Sequence, residues 1–271
     1  MANNDESRES TQDGQLRAAA LTVAAFFGVV LLIGVAALAY ALFGGGGDDG
    51  QRGPLTAVIV DQLALTYPNP EFVDEATQTL RDAGYTVDYV PGEDVTVDFY
   101  RDLPSQEYDM VVLRIHAARH QNNQSGSEIL LPELFTSEPF SLTEHTWERE
   151  QGYLGSVAYY EGDEETFFGI GPAFVAARMR GDFGGATVVM MGCNGLISDQ
   201  MAEAFIRRGA GAFVSWDDLV SAAHTDAATL SLLGHMLVDE LSPDDAAVAT
   251  MADVGPDPYY GSVLLSYPAG E

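Results

Sequence analysis

The distribution of apolar residues divides the chain into one long apolar run and a series of short ones. Residues 18–43 contain no charged residue and are rich in Ala, Val, Leu, Ile and Phe. A helix needs roughly 20 apolar residues to cross a bilayer, so this run predicts a transmembrane helix with the lipid bilayer as its partner. A cleaved signal peptide is the competing interpretation, but its apolar region usually spans only about 7 to 15 residues. We therefore expect a retained, single-pass membrane anchor.

The segments on either side of this run are polar. Residues 1–17 form a polar tail, and residues 44–54 form a Gly- and Asp-rich linker. Two arginines precede the apolar run, whereas one follows it at a distance. By the positive-inside rule, we expect the N-terminus in the cytoplasm and the soluble domain, residues 55–271, outside the cell membrane.

Beyond the linker, strand patterns alternate with helix patterns. Short apolar runs rich in β-branched residues predict strands at 56–61, 86–90, 110–116, 186–192 and 211–216. Amphipathic segments predict helices that begin at Pro70 after the N-cap residue Asn69, near 172–180, at 198–208, at 225–240 and at Pro243 after the N-cap residue Ser242. Residues 262–267 predict an edge strand. This alternation predicts an α/β domain with a mainly parallel sheet that helices cover on both faces.

The segment 117–185 is too long for a plain loop, so we interpret it as an insert in the α/β domain. Within it, residues 153–160 alternate between apolar and polar positions, and residues 161–165 form a polar turn before the apolar run 166–170. This pattern predicts a β-hairpin.

The charge balance is strongly acidic, with 41 Asp and Glu against 12 basic residues and a net charge of -29. In dilute salt such a charge destabilises a compact chain by self-repulsion. At 1 M salt the screening length falls to about 3 Å, so the repulsion largely disappears. The composition is therefore typical of a halophilic source, and it argues against a nucleic-acid partner.

Candidate chemistry follows the predicted strands, because ligands of open α/β sheets bind beyond the carboxyl ends of their strands. The residues at these ends are Asp61, His116, Cys193 and Asp217. Cys193 is the only cysteine in the chain, which excludes an intramolecular disulfide and a cysteine-based zinc cluster. If the strands that end at His116 and Cys193 are neighbours, an imidazole base and a thiol nucleophile share one edge of the sheet.

Two stretches carry a resemblance to a known family. The first is MVVLRIHA, and the second is VVMMGCNGLISDQMAEAFIRRGAGAFVSW, in which the matching positions are Cys193, Asn194, Gly195, Gly209, Ala210 and Trp216. Together they resemble the caspase-like cysteine peptidases of clan CD, and the CHAT branch most closely. The match covers about half of the soluble domain.

The resemblance implies a three-layer α/β/α fold and a Cys-His dyad. Cys193 is then the nucleophile and His116 the base, and backbone N–H groups beside them stabilise the oxyanion. One residue departs from the family pattern, because Ala117 stands where the family commonly has Gly after the catalytic His. This change puts the approach of the substrate in doubt.

Other residues remain alternatives for the site. His120 and His224 are rival bases, and Asp217 and Asp218 are candidates for binding a basic side chain of a substrate. Four aromatic residues of the insert are expected to pack within the hairpin and not to form a binding platform, namely Tyr159, Tyr160, Phe167 and Phe168.

No G-x-G-x-x-G follows the first strand, and neither a P-loop nor H-E-x-x-H occurs. These absences argue against a dinucleotide-binding protein, a P-loop nucleotide-binding protein and a zinc protease. His116 and His120 lack a third ligand, so we expect no cofactor and no metal.

Two functions fit these observations. The first is a membrane-anchored cysteine endopeptidase that hydrolyses a peptide or protein substrate. The second is a catalytically inactive surface module of the same fold that binds a peptide or protein partner through the same edge of the sheet.

Overall fold

A computed structural model describes residues 53–122, 129–160 and 162–269. The predicted polar tail and transmembrane helix, and most of the linker, lie outside the described residues. Among the residues that are described, no helix is both long enough and apolar enough to cross a bilayer.

The described residues form ten strands, which are β1 (Thr56–Asp61), β2 (Thr86–Pro91), β3 (Met110–Arg114), β4 (Ala117–Asn122), β5 (Ile129–Pro139), β6 (Leu154–Val157), β7 (Phe167–Ile170), β8 (Thr187–Met190), β9 (Ala212–Trp216) and β10 (Leu264–Tyr267). Six of them build the central sheet in the order β2-β1-β3-β8-β9-β10. All neighbouring pairs are parallel except β9 and β10. The predicted, mainly parallel sheet is therefore confirmed, with the C-terminal strand as its antiparallel edge.

Seven α-helices occur in the described part of the chain, namely α1 (Pro70–Asp82), α2 (Val97–Asp102), α3 (Thr146–Glu150), α4 (Pro172–Arg178), α5 (Gln200–Arg207), α6 (Ala222–Leu237) and α7 (Pro243–Val254). All except α3 contribute side chains to the two cores of the central sheet. Two of the predicted N-caps form. The Asn69 side chain accepts a hydrogen bond from the Phe72 amide at 3.2 Å, and Ser242 accepts one from Asp245 at 3.2 Å. Such caps satisfy amides that the first helical turn leaves unpaired, and each typically stabilises a helix by about 1 kcal/mol.

The two faces of the sheet carry separate hydrophobic cores, because alternate side chains of a strand point to opposite faces. In β1, Val58 and Val60 pack into one core, with side chains from α2, α4 and α5. Ala57 and Ile59 pack into the other core, with side chains from α1, α6 and α7. Helices therefore cover both faces, as the sequence predicts.

The insert folds into a second, antiparallel sheet in the order β4-β5-β7-β6. The predicted hairpin is confirmed, since Leu154 pairs with Ile170 and Val157 with Phe167. The sequence did not predict β4 or β5. This second sheet begins at Ala117, directly after His116, so it borders the edge of the central sheet where the candidate chemistry lies.

Several predicted boundaries near the site were wrong. Strand β8, predicted to reach residue 192, ends at Met190, so Cys193 lies three residues beyond it. Strand β3 ends at Arg114, so His116 lies two residues beyond the strand. Helix α6 begins at Ala222 instead of residue 225, and His224 therefore lies in its first turn. The small residues Ser221, Ala222 and Ala223 allow the chain to enter the helix earlier than its apolar pattern indicates.

Candidate functional site

His116 and Cys193 follow two strands that are neighbours in the central sheet. Strands β3 and β8 run parallel, with Val112 opposite Val189 and Leu113 opposite Met190. Both side chains line one cavity of about 400 Å³ at the carboxyl ends of these strands. The condition that the sequence left open, adjacency of the two strands, is met.

Close packing of the backbone shapes the turn that carries Cys193. A Cβ atom on Gly192 would lie 2.5 Å from the Ile115 carbonyl oxygen, and one on Gly195 would meet the Ser215 hydroxyl. Asn194 has a φ of 63°, in the left-handed region that Asn adopts more readily than most residues. The backbone N–H of Asn194 donates to the backbone carbonyl of Asp218 at 2.9 Å, which connects the turn to the segment after β9.

The Cys193 thiol is held by the backbone of Val220. Sγ donates to the Val220 carbonyl at 3.5 Å and accepts from the Val220 amide at 3.4 Å. Among the described residues, no hydrogen bond joins Sγ to an imidazole. Burial raises the pKa of the Cys193 thiol, the amides of Val220 and of Cys193 itself oppose that increase, and the charges of Asp218 and Asp257 add to it. At neutral pH the resting group is therefore a thiol.

Thr66 fixes the orientation of the His116 ring. Its hydroxyl oxygen lies 2.7 Å from Nε2 of His116 and donates to the Leu63 carbonyl at 3.2 Å. The tautomer decides which group donates: when the single hydroxyl proton is donated to the Leu63 carbonyl, Nε2 carries the hydrogen that bridges to Thr66. The other ring nitrogen, Nδ1, keeps a lone pair that can accept a proton.

Gln62 and aromatic rings complete the surroundings of His116. The Gln62 side chain accepts from the His116 amide at 2.9 Å and donates to the Tyr159 hydroxyl at 3.0 Å. The imidazole makes an edge contact with the Tyr159 ring, with 4.9 Å between ring centroids. Phe135 stacks on Tyr159 and also contacts the imidazole, with 5.6 Å between the Phe135 and His116 centroids. Burial, with help from the charge of Arg114, lowers the pKa of His116 to about 4. The imidazole is therefore neutral at pH 7.

A buried ion-pair network lies beneath the site. The Arg114 guanidinium is fully buried and donates to both carboxylate oxygens of Asp226, at 2.7 and 2.8 Å. It also donates to Asp61 at 2.6 Å and to the Tyr67 carbonyl at 2.9 Å. The network joins β1, β3 and α6 and supports the segment that carries Tyr67 at the cavity wall.

The remaining candidates from the sequence have other contacts. Asp61 binds Arg114, and Asp217 accepts from the Val263 amide at 2.8 Å. Asp218 accepts from the Leu219 amide at 2.8 Å and pairs with Arg119 at 3.4 Å. The Nε2 atom of His224 lies 3.1 Å from the Gly255 carbonyl. None of these four residues lines the cavity that His116 and Cys193 share.

The prediction for His120 falls outside the described side chains. In the insert, Phe167 and Phe168 are buried as expected, and Tyr159 packs against His116 as well as within the hairpin. The expectation for Tyr160 was wrong, because its side chain is 69% exposed. Sequence reasoning missed Gln62, Thr66 and Arg114. Only Arg114 gives a signal in the sequence, because a charge inside an apolar strand requires a buried partner.

No family model matches this chain, and no curated protein matches it.

Proposed function

We propose that this chain is a membrane-anchored cysteine endopeptidase with a three-layer α/β/α, caspase-like domain. The observation that carries the proposal is the adjacency of β3 and β8, which brings His116 and Cys193 to the wall of one cavity. A mainly parallel sheet with helices on both faces is the architecture that the sequence resemblance implies. Thr66 supports the proposal as well, since a catalytic base is usually oriented by a third group.

The catalytic cycle begins from a neutral thiol and a neutral imidazole. As Sγ of Cys193 attacks the peptide carbonyl carbon, its proton moves to Nδ1 of His116 and the C=O electron pair moves to the oxygen. The Cys193 amide, which lies beside its own sulfur, is a donor for this oxyanion. The imidazolium then gives its proton to the leaving nitrogen, the C–N bond breaks, and an acyl-enzyme remains.

Water completes the reaction by the reverse proton path. His116 accepts a proton from the water as its oxygen attacks the thioester carbon, and the C–S bond breaks with return of the proton to sulfur. The Val220 amide, 3.4 Å from Sγ, supplies a hydrogen bond to the sulfur as negative charge develops there. These acylation and deacylation steps require no metal and no cofactor.

The proposed anchor is the apolar helix of residues 18–43, with the linker 44–54 between membrane and domain. The soluble domain then faces outward, where peptide or protein substrates meet the cavity. The acidic surface suits molar salt and disfavours nucleic acid.

The test is hydrolysis of a mixed peptide library by the full-length protein in detergent at high salt. We expect product formation that is lost in both Cys193→Ala and His116→Ala. The matched control is His224→Ala, because His224 lies outside the cavity wall and we expect its loss to leave hydrolysis in place. Hydrolysis that survives in Cys193→Ala contradicts the proposal.

A non-catalytic binding module of the same fold is the second candidate. The observation that favours it is the raised pKa of the buried Cys193 thiol, since reactive cysteines usually have a lowered pKa. The two functions differ in one measurement. A module retains peptide binding in Cys193→Ala and cleaves no peptide in the wild type, whereas the enzyme cleaves.

A further inference from the structure

The cavity beside Cys193 is lined mainly by apolar side chains. Leu63 and Ile115 come from the β1 and β3 side, and Val220, Ala222 and Ala223 come from the segment that enters α6. Its volume of about 400 Å³ lies within the range of sites that take a small ligand or one large side chain with its backbone. What enters the cavity depends on the polar groups that its wall still offers.

Two polar residues of the wall already have partners within the protein. The Ser221 hydroxyl donates to Asp257 at 2.7 Å. The Thr225 hydroxyl donates to the Met191 carbonyl at 2.7 Å and accepts from the Trp216 indole at 2.9 Å. A polar substrate group would have to displace these bonds, which carries an unfavourable free energy.

The carboxylates nearest to the cavity are also occupied. Asp61 and Asp226 bind the buried guanidinium of Arg114. Asp257 accepts from the Ser221 amide and hydroxyl and from the amides of Tyr259 and Tyr260, and despite its burial these bonds lower its pKa to about 2. None of the three lines the cavity, so the described wall offers no carboxylate to a basic side chain.

Among the described residues, no Arg side chain lines the wall either. Arg114 lies beneath it with its donors engaged, and Arg119 pairs with Asp218 outside it. His116 is neutral at pH 7. An acidic substrate side chain therefore finds no counter-charge in the described wall.

We propose that this cavity is the specificity pocket of the enzyme and that it binds an apolar side chain such as Leu, Met or Phe. The proposal rests on the proposed function. The side chain belongs to the residue that precedes the scissile bond. His116 must face the leaving nitrogen, whereas Val220, at the start of the wall segment 220–223, contacts the sulfur that holds the acyl group.

Tyr67 and Tyr260, both about half exposed, contribute to the lining and extend this apolar surface toward solvent. Their rings offer large contact area at little conformational cost. High salt suits such recognition, because it screens ion pairs and strengthens the burial of apolar groups when the salt is kosmotropic. A charge-selective pocket would lose discrimination under the conditions that the acidic composition favours.

The test uses fluorogenic acetyl-tripeptide amides that differ only in the residue before the scissile bond. With the full-length protein at high salt, we expect kcat/KM for Leu, Met or Phe to exceed that for Arg, Asp or Asn by at least about 10-fold. Cys193-dependent cleavage that prefers Arg or Asp overturns the pocket assignment and leaves the proposed function intact. Absence of any Cys193-dependent cleavage overturns the proposed function instead.

Binding decides the pocket assignment even without turnover. In the Cys193→Ala protein, we expect the acetyl-tripeptide with Leu to bind at least about 10-fold more tightly than the same peptide with Arg or Asp. Equal or reversed affinities overturn the assignment.

A matched pair of variants at Ala223 tests the wall directly. Ala223 lies in the first turn of α6, where a carboxylate is favoured by the helix dipole, so Ala223→Asp is compatible with the fold. We expect Ala223→Asp to shift the preference between Arg and Leu toward Arg by at least about 10-fold, and the nearly isosteric Ala223→Asn to produce no such shift. No shift in the Asp variant, with hydrolysis retained, shows that this wall does not contact the substrate side chain and overturns the assignment.

Discussion

The Thr66 hydroxyl lies 2.7 Å from Nε2 of His116, although the two residues are 50 positions apart in the chain. Thr66 follows the 3-10 turn Gln62–Leu65 after β1, and His116 follows β3, which pairs directly with β1. The contact therefore depends on the same sheet edge that brings His116 beside Cys193. It makes Thr66 a positioning residue for the proposed base.

Replacing Thr66 by Val removes the acceptor of the Nε2–H hydrogen bond and keeps the side-chain shape. We expect kcat to fall by about 10- to 100-fold with little change in KM, because proton transfer by a misoriented imidazole is less efficient. Thr66→Ser restores the hydroxyl and should recover most of the rate. A rise in KM with unchanged kcat argues against the positioning role. Failure of Thr66→Ser to recover the rate argues against it as well.

The resting thiol should react slowly with iodoacetamide. Burial raises the pKa of Cys193, so we expect the pH midpoint of alkylation to lie above about 8.5, the ordinary value for a cysteine. The reference is glutathione in the same salt, measured from pH 6 to pH 10 by mass spectrometry. A midpoint below that of glutathione would show a preformed thiolate and contradict the neutral resting pair.

Protonation of His116 should destabilise the fold. Its pKa is about 4 in the folded protein against 6.5 ordinarily, so the unfolded chain binds the proton more tightly. The contribution of neutral His116 to the free energy of unfolding is fully present above pH 6.5 and is lost as pH falls toward 4. At 1.36 kcal/mol per pKa unit, this loss amounts to roughly 3 kcal/mol. Urea unfolding of wild type and His116→Gln across pH 4 to 7 measures this loss as the difference between the two profiles.

His235 provides a control of opposite sign. Hydrogen bonds from its ring to Asp239 and Asp253 raise its pKa, so its contribution is present below pH 6.5 and is lost as pH rises through the higher folded value. Because the His235→Gln variant keeps His116, its free energy of unfolding should still decline below pH 6.5. The His116→Gln variant should lack this decline. Identical pH profiles for wild type and His116→Gln would exclude a buried, neutral His116.

Local sequence patterns predicted the central sheet well. The run TAVIVD in β1 has no charged residue before Asp61, and the pair Asn69 and Pro70 marks the start of α1. These signals depend on neighbouring residues only. In contrast, Pro132 and Glu133 interrupt the apolar pattern of β5, and this strand was missed. A strand with such a pattern forms because it pairs with β4 and β7, which local sequence does not specify.

The candidate site was predictable only in part. The sequence indicated His116 and Cys193 as strand-end residues, yet strand order is a tertiary property, so their adjacency required the structure. Arg114 is a second case in which the sequence does not show which distant residue is the partner. Its partner Asp226 lies 112 residues away in α6, and nothing near Arg114 indicates which carboxylate binds it.

Breaking the buried pair between Arg114 and Asp226 should be costly. Asp226→Asn leaves a fully buried guanidinium with one carboxylate fewer, and removing one partner of a buried pair typically costs about 3–5 kcal/mol. The matched control is Asp102→Asn, which breaks the exposed pair with Arg180 and should cost at most about 1 kcal/mol. Urea unfolding followed by tryptophan fluorescence compares the two, and equal costs would show that the buried network adds nothing.

Gly192 should be intolerant of a side chain, because a Cβ atom there would lie 2.5 Å from the Ile115 carbonyl oxygen. Gly192→Ala must push β3 and the Cys193 turn apart, so we expect a loss of about 1–3 kcal/mol in the free energy of unfolding. Hydrolysis should also fall.

Gly234→Ala is the control, since Gly234 lies inside α6 with nothing within 4 Å of an added Cβ. There, Ala should stabilise the helix by about 0.5–1 kcal/mol. Opposite changes in the urea midpoint of the two variants support close backbone contact beside Cys193, whereas a neutral Gly192→Ala shows that the turn has room to adjust.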